Sequence, residues 1–195
     1  MKREAKVVRR TGETDIEISL CLDGEGNYDI STGIGFFDHM LNLMTKHGLL
    51  DIAVKAQGDL EVDAHHTVED VGIVLGQCMN KALGEKKGIK RYGTSFVPMD
   101  ETLASVSLDI SGRPYIVCKC EFTVDKVGKM DTELVEEFLR AFAFNAGITL
   151  HARIIYGKNN HHMIEAVFKA LGRAIREAVG IDERISGVMS TKGLL

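Results

Sequence analysis

From Asp15 to Asp23, Ile16, Ile18, Leu20 and Leu22 alternate with more polar neighbours, and this alternation predicts a half-buried strand. A shorter strand-like run, Ala5 to Arg10, precedes it. Gly24 to Asn27 reads as a turn, and Tyr28 to Ser31 as the returning strand. The period then changes. Phe37, Leu41 and Met44 fall at helical spacing within Phe36 to Lys46, and a strand from Leu50 to Ala56 follows Gly48. A longer helix runs from about His65 to Leu83, with Gly84 as its C-cap.

The second half repeats this order. Thr102 to Leu108 and Tyr115 to Val124 are strand-like around the turn Ser111-Gly-Arg-Pro; Glu133 to Asn145 is helical, and Thr149 to Tyr156 is a strand. His161 to Val179 is a helix ended by Gly180. The repeat holds residue by residue. The 96-residue offset from His65 to His161 also carries Gly76 onto Gly172 and Ala82-Leu83-Gly84 onto Ala178-Val179-Gly180, while an offset of 99 pairs Gly48 with Gly147. An internal duplication follows, with residues 1-92 as one half and 93-195 as the other. Each half is expected to be an α+β unit, its helices covering one face of a sheet. Alone, each would have a marginal core, so the halves should pack as one unit.

Composition is that of an ordinary globular chain: 45% apolar, 27% charged, net charge −4. It implies no general nucleic-acid surface, and no apolar run reaches membrane-spanning length. No secretory leader is read after Met1, and the expected compartment is a reducing cytoplasm. Cys118 and Cys120 share one strand face and read as packing residues rather than zinc ligands.

Histidine placement changes the picture. Of seven histidines, His65-His66 and His161-His162 each open an identical His-His-x-x-Glu pattern, completed by Glu69 and Glu165. On a helix, a residue shares a face with the one four further on, so His65 meets Glu69 and His161 meets Glu165 while the adjacent histidines diverge. Imidazole with carboxylate suits zinc, manganese, iron or nickel, and one triplet can serve two ions or complete a site on another subunit. The zincin order HExxH is absent. Two copies on equivalent helices favour metal over hydrogen-bonded scaffolding. Further ligands are expected at His39, near the start of the first helix, and at His151, near the start of the last strand. His47, beside Gly48, reads as a helix C-terminal cap before it reads as a ligand.

Basic side chains are scattered but mostly flank turns: Lys90, Arg91, Arg113, Lys158, Lys169, and Lys192 in Ser190-Thr-Lys-Gly. Arginine forks and lysine charges suit phosphate oxygens, although no P-loop is present. The residues alone predict a paired metal site near an anion pocket.

Several stretches resemble one family closely: Thr32 to Leu41 (TGIGFFDHML), Gly58 to Gly76 (GDLEVDAHHTVEDVGIVLG), Arg91-Tyr-Gly with Pro98-Met-Asp-Glu, Asp109 to Pro114 (DISGRP), Gly157 to Ala174 (GKNNHHMIEAVFKALGRA) and Gly187 to Gly193 (GVMSTKG). They span nearly the whole chain and are similar to the imidazoleglycerol-phosphate dehydratase family in its monofunctional form. The resemblance implies a tandem duplication of a ribosomal-protein-S5-domain-2-like unit. It also implies a homo-24-mer built from trimers, with active sites between subunits and two Mn²⁺ per site. The implied reaction converts D-erythro-imidazole-glycerol phosphate to imidazole acetol phosphate in histidine biosynthesis, through an imidazolate and a diazafulvene-type species. Matched position by position, the metal ligands are His39, His65, His66, Glu69, His151, His161, His162 and Glu165, with His47 as an alternative ligand or substrate contact. Glu13 matches the residue that moves the carbon-bound proton. Arg91, Arg113, Lys169, Ser190 and Lys192 match substrate and phosphate contacts, and Asp100 and Glu101 supporting positions.

Two other readings fit the residues alone. A metal-dependent hydrolase of a small phosphorylated compound would use the same ligands to activate water. A non-enzymatic metal-binding assembly protein would place them at subunit junctions.

Overall fold

The alternation of Thr14–Cys21 becomes a strand, β2, whose Ile16, Ile18 and Leu20 are buried on one face. The computed structural model describes residues 2–195; Met1, the first residue of the segment read above for a leader, lies outside them. The first half runs β1 (Glu4–Arg10), β2, β3 (Tyr28–Ser31), α1 (Gly35–Gly48), β4 (Asp51–Gly58) and α2 (His65–Leu83). The second runs β5 (Tyr92–Met99), β6 (Thr102–Asp109), β7 (Tyr115–Lys119), a small hairpin of β8 (Lys126–Val127) and β9 (Met130–Asp131), α3 (Leu134–Ala146), β10 (Thr149–Tyr156) and α4 (Asn160–Val179).

Both halves form the same four-stranded sheet. The orders are β1-β2-β4-β3 and β5-β6-β10-β7, and in each only the last pair is parallel. The duplication read from the glycines and histidines is thus a duplication of topology. The helices pair across the halves: α2 covers β1 and β2 and packs along α3, while α4 covers β5 and β6 and packs along α1. One apolar core fills the space between the sheets, with Phe37 of α1 edge-on to Phe138 of α3 at 5.3 Å and Phe138 stacked on Phe168 of α4 at 5.3 Å.

The glycines shared by the repeat permit this helix pairing. A Cβ on Gly172 would stand 3.0 Å from the Gly48 nitrogen, and one on Gly76 only 2.6 Å from the Phe142 carbonyl oxygen. No larger residue lets these backbones approach so closely. The pairing of Gly48 with Gly147 needs correction. Leu49 (φ 49°) takes the left-handed position that ends α1, as Gly147 (φ 68°) does for α3, so the true partner of Gly147 is Leu49. Identity misled the alignment because Gly48 serves the close approach instead.

Two further expectations are corrected. β7 ends at Lys119 and does not extend to Val124, although Cys118 and Cys120 both still pack against the core as free thiols. β5 escaped the pattern reading because it contains Gly93 and Pro98. It lies at the sheet edge, where a proline need not remove a ladder bond. Among the described residues, no helix is long and apolar enough to cross a membrane.

Candidate active site

The two histidine pairs occupy the first turns of α2 and α4, delivered by equivalent caps. The Asp63 carboxylate accepts the His65 N–H at 2.7 Å, and the Asn159 side-chain oxygen accepts those of His161 at 2.9 Å and His162 at 3.4 Å. Asp63 and Asn159 stand the same 96 residues apart as the pairs they cap. Ala64 at the α2 N-cap therefore costs nothing, because the residue before it supplies the acceptor.

His161 projects toward α1 of the other half. His39 Nε2 lies 3.8 Å from Glu165 Oε1, and His161 Nε2 lies 3.5 Å from Glu165 Oε2. Donor atoms of His39, His161 and Glu165 all fall within 4.8 Å of one another, and Glu165 is only 6% exposed. A carboxylate buried to this extent needs a cation. Lys169 Nζ supplies one at 3.0 Å from Oε1, one turn along α4. Two imidazoles and a buried carboxylate form a donor set that fits a divalent transition metal.

The second histidine of each pair is held differently. His66 Nδ1 is 3.0 Å from Asp59 Oδ2, and His162 Nδ1 is 2.8 Å from Glu101 Oε2. A carboxylate on Nδ1 fixes the ring and favours a free lone pair on Nε2, the arrangement that supports histidine ligands. These hydrogen bonds raise the affinity of both imidazoles for a proton, from Asp59 chiefly for His66 and from Glu101 for His162. Glu101 in turn is held well below the usual carboxylate range, first by the backbone N–H of Asn159, then by His162 and the N–H of Lys158. Asp100 Oδ2 stands 3.8 Å from His162 Nε2. Glu13, in the turn before β2, is 57% exposed and 3.8 Å from His66 Nδ1.

The remaining expected ligands do not join these groups within one protomer. His65 has the His66 ring 6.2 Å away, and among the described residues Glu69 has no hydrogen-bonded or charged partner. His151 is exposed on β10 between the buried Leu150 and Ala152, which places it on the outer sheet face, away from the helices and from His161. His47 lies in the last turn of α1, whose end is closed by the Leu49 backbone. Burial, then Lys169 and Arg173, make His47 harder to protonate.

Four of the five expected anion contacts meet in an open cleft of about 690 Å³, lined by Arg91, Arg113, Arg184, Ser190, Thr191 and Lys192. Arg91 is preset. Its Nε and Nη2 donate to the Asp109 carboxylate at 2.6 and 3.0 Å, Nη1 donates to the Met189 carbonyl at 2.8 Å, and the guanidinium lies over the Tyr92 ring. Arg113, 68% exposed, has donors left for an anion. Lys169 stands apart, on Glu165. Sequence reasoning missed Asp59, Asp109 and Arg184. Asp59 opens the acidic run before the first histidine pair and Asp109 opens DISGRP, but spacing alone gives neither a partner.

Comparison with known proteins bears on the family and the fold. The model of a family described as imidazoleglycerol-phosphate dehydratase matches residues 32–175. The chain is 79% identical over 191 residues to the imidazoleglycerol-phosphate dehydratase of Clostridium botulinum strain Langeland, covering 98% of this chain and 97% of that protein. Identity to the Clostridium acetobutylicum protein of the same name is 69% over 192 residues, covering 98% of both. Among solved structures, that of the Staphylococcus aureus imidazoleglycerol-phosphate dehydratase is similar at TM-score 0.83 and 45% identity, over 92% of this chain and 99% of that one. The Pyrococcus furiosus structure gives TM-score 0.83 at 34% identity, over 97% and 100%.

Proposed function

The chain belongs to the imidazoleglycerol-phosphate dehydratase family, metal-dependent lyases of histidine biosynthesis, and from that membership we propose that it converts D-erythro-imidazole-glycerol phosphate to imidazole acetol phosphate at a two-metal site. The observation that carries the metal reading is the convergence of His39, His161 and Glu165 from different halves of the repeat.

The proton to be removed sits on carbon with no adjacent carbonyl, so the substrate's own ring must take up the electrons. Two Mn²⁺ ions, held by His39, His65, His66, Glu69, His151, His161, His162 and Glu165, would supply Lewis acidity to that ring. Asp59 and Glu101 would orient His66 and His162 toward them. Glu13, unencumbered beside His66, would take the carbon-bound proton; that hydrogen and the departing hydroxyl would be lost together as one water, and the enol left behind would tautomerise to the ketone. Arg91, Arg113, Ser190 and Lys192 would hold the phosphate, fixing the chain of the substrate while its ring reacts. Lys169 would reach the substrate from the Glu165 side.

The position of His151 supports a site completed between subunits. Its outer face also exposes Tyr92, Phe96, Tyr115 and Ile155, a collection of large apolar side chains of the kind a second copy covers. We propose that neighbouring copies join His151 to a histidine pair of another chain, in the 24-subunit assembly expected above.

The test is turnover by metal-stripped protein resupplied with Mn²⁺, following ketone formation. Activity returning at about two ions per subunit is expected. Full occupancy and intact assembly without ketone would overturn the assignment.

A further inference from the structure

Thr14 and Thr102 begin the equivalent strands β2 and β6, each directly after a glutamate, yet their hydroxyls point to different acceptors. In the second half the Thr102 hydroxyl donates to Glu101 Oε1 at 3.1 Å. That oxygen also accepts the N–H groups of Lys158 at 3.1 Å and Asn159 at 2.7 Å, and Oε2 bonds His162. Glu101 is fully committed.

In the first half the Thr14 hydroxyl donates instead to Asp70 Oδ2, at 2.5 Å, and Asp70 is ion-paired with Arg9. Asp70 is 6% exposed and Thr14 4%. Their positions in the repeat make this pair informative. By the helix offset of 96, Asp70 corresponds to Ala166; by the strand offset from Thr14 to Thr102, Arg9 corresponds to Val97. The same architecture therefore stands with an apolar pair at those places. A buried ion pair is poor evidence of added stability when apolar residues can replace it. This one has another consequence.

An ionised carboxylate only accepts, so Asp70 obliges the Thr14 hydroxyl to donate to it. The Thr14 oxygen then accepts the Thr11 hydroxyl at 3.1 Å, and the Thr11 oxygen accepts the N–H of Glu13 at 3.1 Å and of Thr14 at 2.9 Å. The backbone carrying Glu13 is pinned from α2. Among the described residues, no hydrogen bond reaches the Glu13 carboxylate itself.

We propose that Asp70, clamped by Arg9, is a positioning residue for proton transfer: it draws the Thr14 hydroxyl away from Glu13, leaving that carboxylate uncommitted on a fixed turn. The duplication thus yields one immobilised glutamate that orients a histidine and one free glutamate that exchanges a proton. This rests on the reading above that Glu13 moves the carbon-bound proton.

The test uses the full-length, assembled, Mn²⁺-loaded enzyme with imidazoleglycerol phosphate. Thr14→Val is expected to lower kcat about 10- to 100-fold, part of the span of general acid–base catalysis, with KM and bound metal unchanged. Thr14→Ser, which keeps the hydroxyl, should recover most of that loss. A second variant copies the other half: Arg9→Val with Asp70→Ala should fold, keep its metal, and lose kcat similarly. Adding Thr14→Val to Glu13→Gln should cost nothing further, because the effect passes through Glu13. Full kcat in Thr14→Val and in the apolar pair, with kcat reduced in Glu13→Gln, overturns the positioning role and leaves Glu13 as the proton carrier. An additive loss in the double variant also overturns it. Full activity in Glu13→Gln removes the Glu13 reading and this proposal with it.

Discussion

His39 Nε2 lies 3.8 Å from Glu165 Oε1 although the two residues belong to different halves of the duplication. The donor cluster therefore depends on α1 lying against α4, not on either half alone. Replacing His39 with alanine removes a half-exposed side chain with little effect on the core. The expected result is about 10- to 100-fold weaker metal binding with an unchanged thermal midpoint of the metal-free protein. Metal analysis after dialysis and melting curves of both proteins stripped of metal check it.

The same dependence makes Gly172 a lever on the site from a distance. A methyl there would press on Gly48 and Met44 of α1. Gly172→Ala should destabilise the fold by about 1–3 kcal/mol, as overpacking does. It should also reduce bound metal, because α1 carries His39 outward as it moves. Denaturant unfolding and metal content would be read together. Lowered stability with full metal retention would show that the cluster tolerates the displacement.

Much of this was legible in the chain. Ile16, Ile18 and Leu20 specify β2 by alternation, and the repeated His-His-x-x-Glu announced both the duplication and the chemistry, because helical spacing fixes which side chains share a face. What stayed hidden is pairing at long range. Nothing in the spacing tells that His39 meets Glu165, that Asp59 holds His66, or that Arg91 is gripped by Asp109. β5 was hidden for a local reason, since Pro98 opposes a strand reading unless the strand is known to lie at an edge. His151 was expected as a ligand, but the sheet face it occupies depends on which neighbours are buried.

Glu101 tests the orientation of His162, a proposed ligand, directly. Its carboxylate fixes His162 through Nδ1 while backbone N–H groups fix the carboxylate. Glu101→Gln keeps the shape but loses the charged acceptor, so a tenfold or greater loss of metal affinity is expected. Glu13→Gln should leave metal affinity near the parent value and reduce kcat. A titration with Mn²⁺ and a steady-state assay separate the two equivalent glutamates.

Cys78 provides a pH test outside the site. Burial beneath the first sheet raises its thiol from 9.0 to about 11, and Sγ donates to the Ile18 carbonyl at 3.3 Å. The folded pKa lies above the unfolded one. Below pH 9 the thiol is protonated in both states and adds no pH dependence. Between pH 9 and about 11 the unfolded chain loses this proton and the folded chain keeps it, so stability falls as pH rises. Urea midpoints across that window should fall less steeply for Cys78→Ala than for the parent. Equal slopes would contradict the shift.

Asp109 governs Arg91 in the proposed phosphate cleft. Its carboxylate holds Nε and Nη2 of Arg91 in a bidentate grip, while Arg113 stands 3.9 Å from the same group and remains largely in solvent. Asp109→Asn breaks the fork without emptying the space, leaving Arg91 to sample other rotamers. On the proposed reading the phosphate stays bound throughout the reaction, so losing this contact weakens ground state and transition state alike. KM should rise about 10- to 100-fold, as expected for one charge-assisted contact, with kcat changed much less. Competition by inorganic phosphate should weaken in parallel, since it needs only the cleft. A variant that lost kcat at constant KM would instead place Arg91 against the reacting atoms, and the cleft lined by Ser190 and Lys192 would no longer account for phosphate binding.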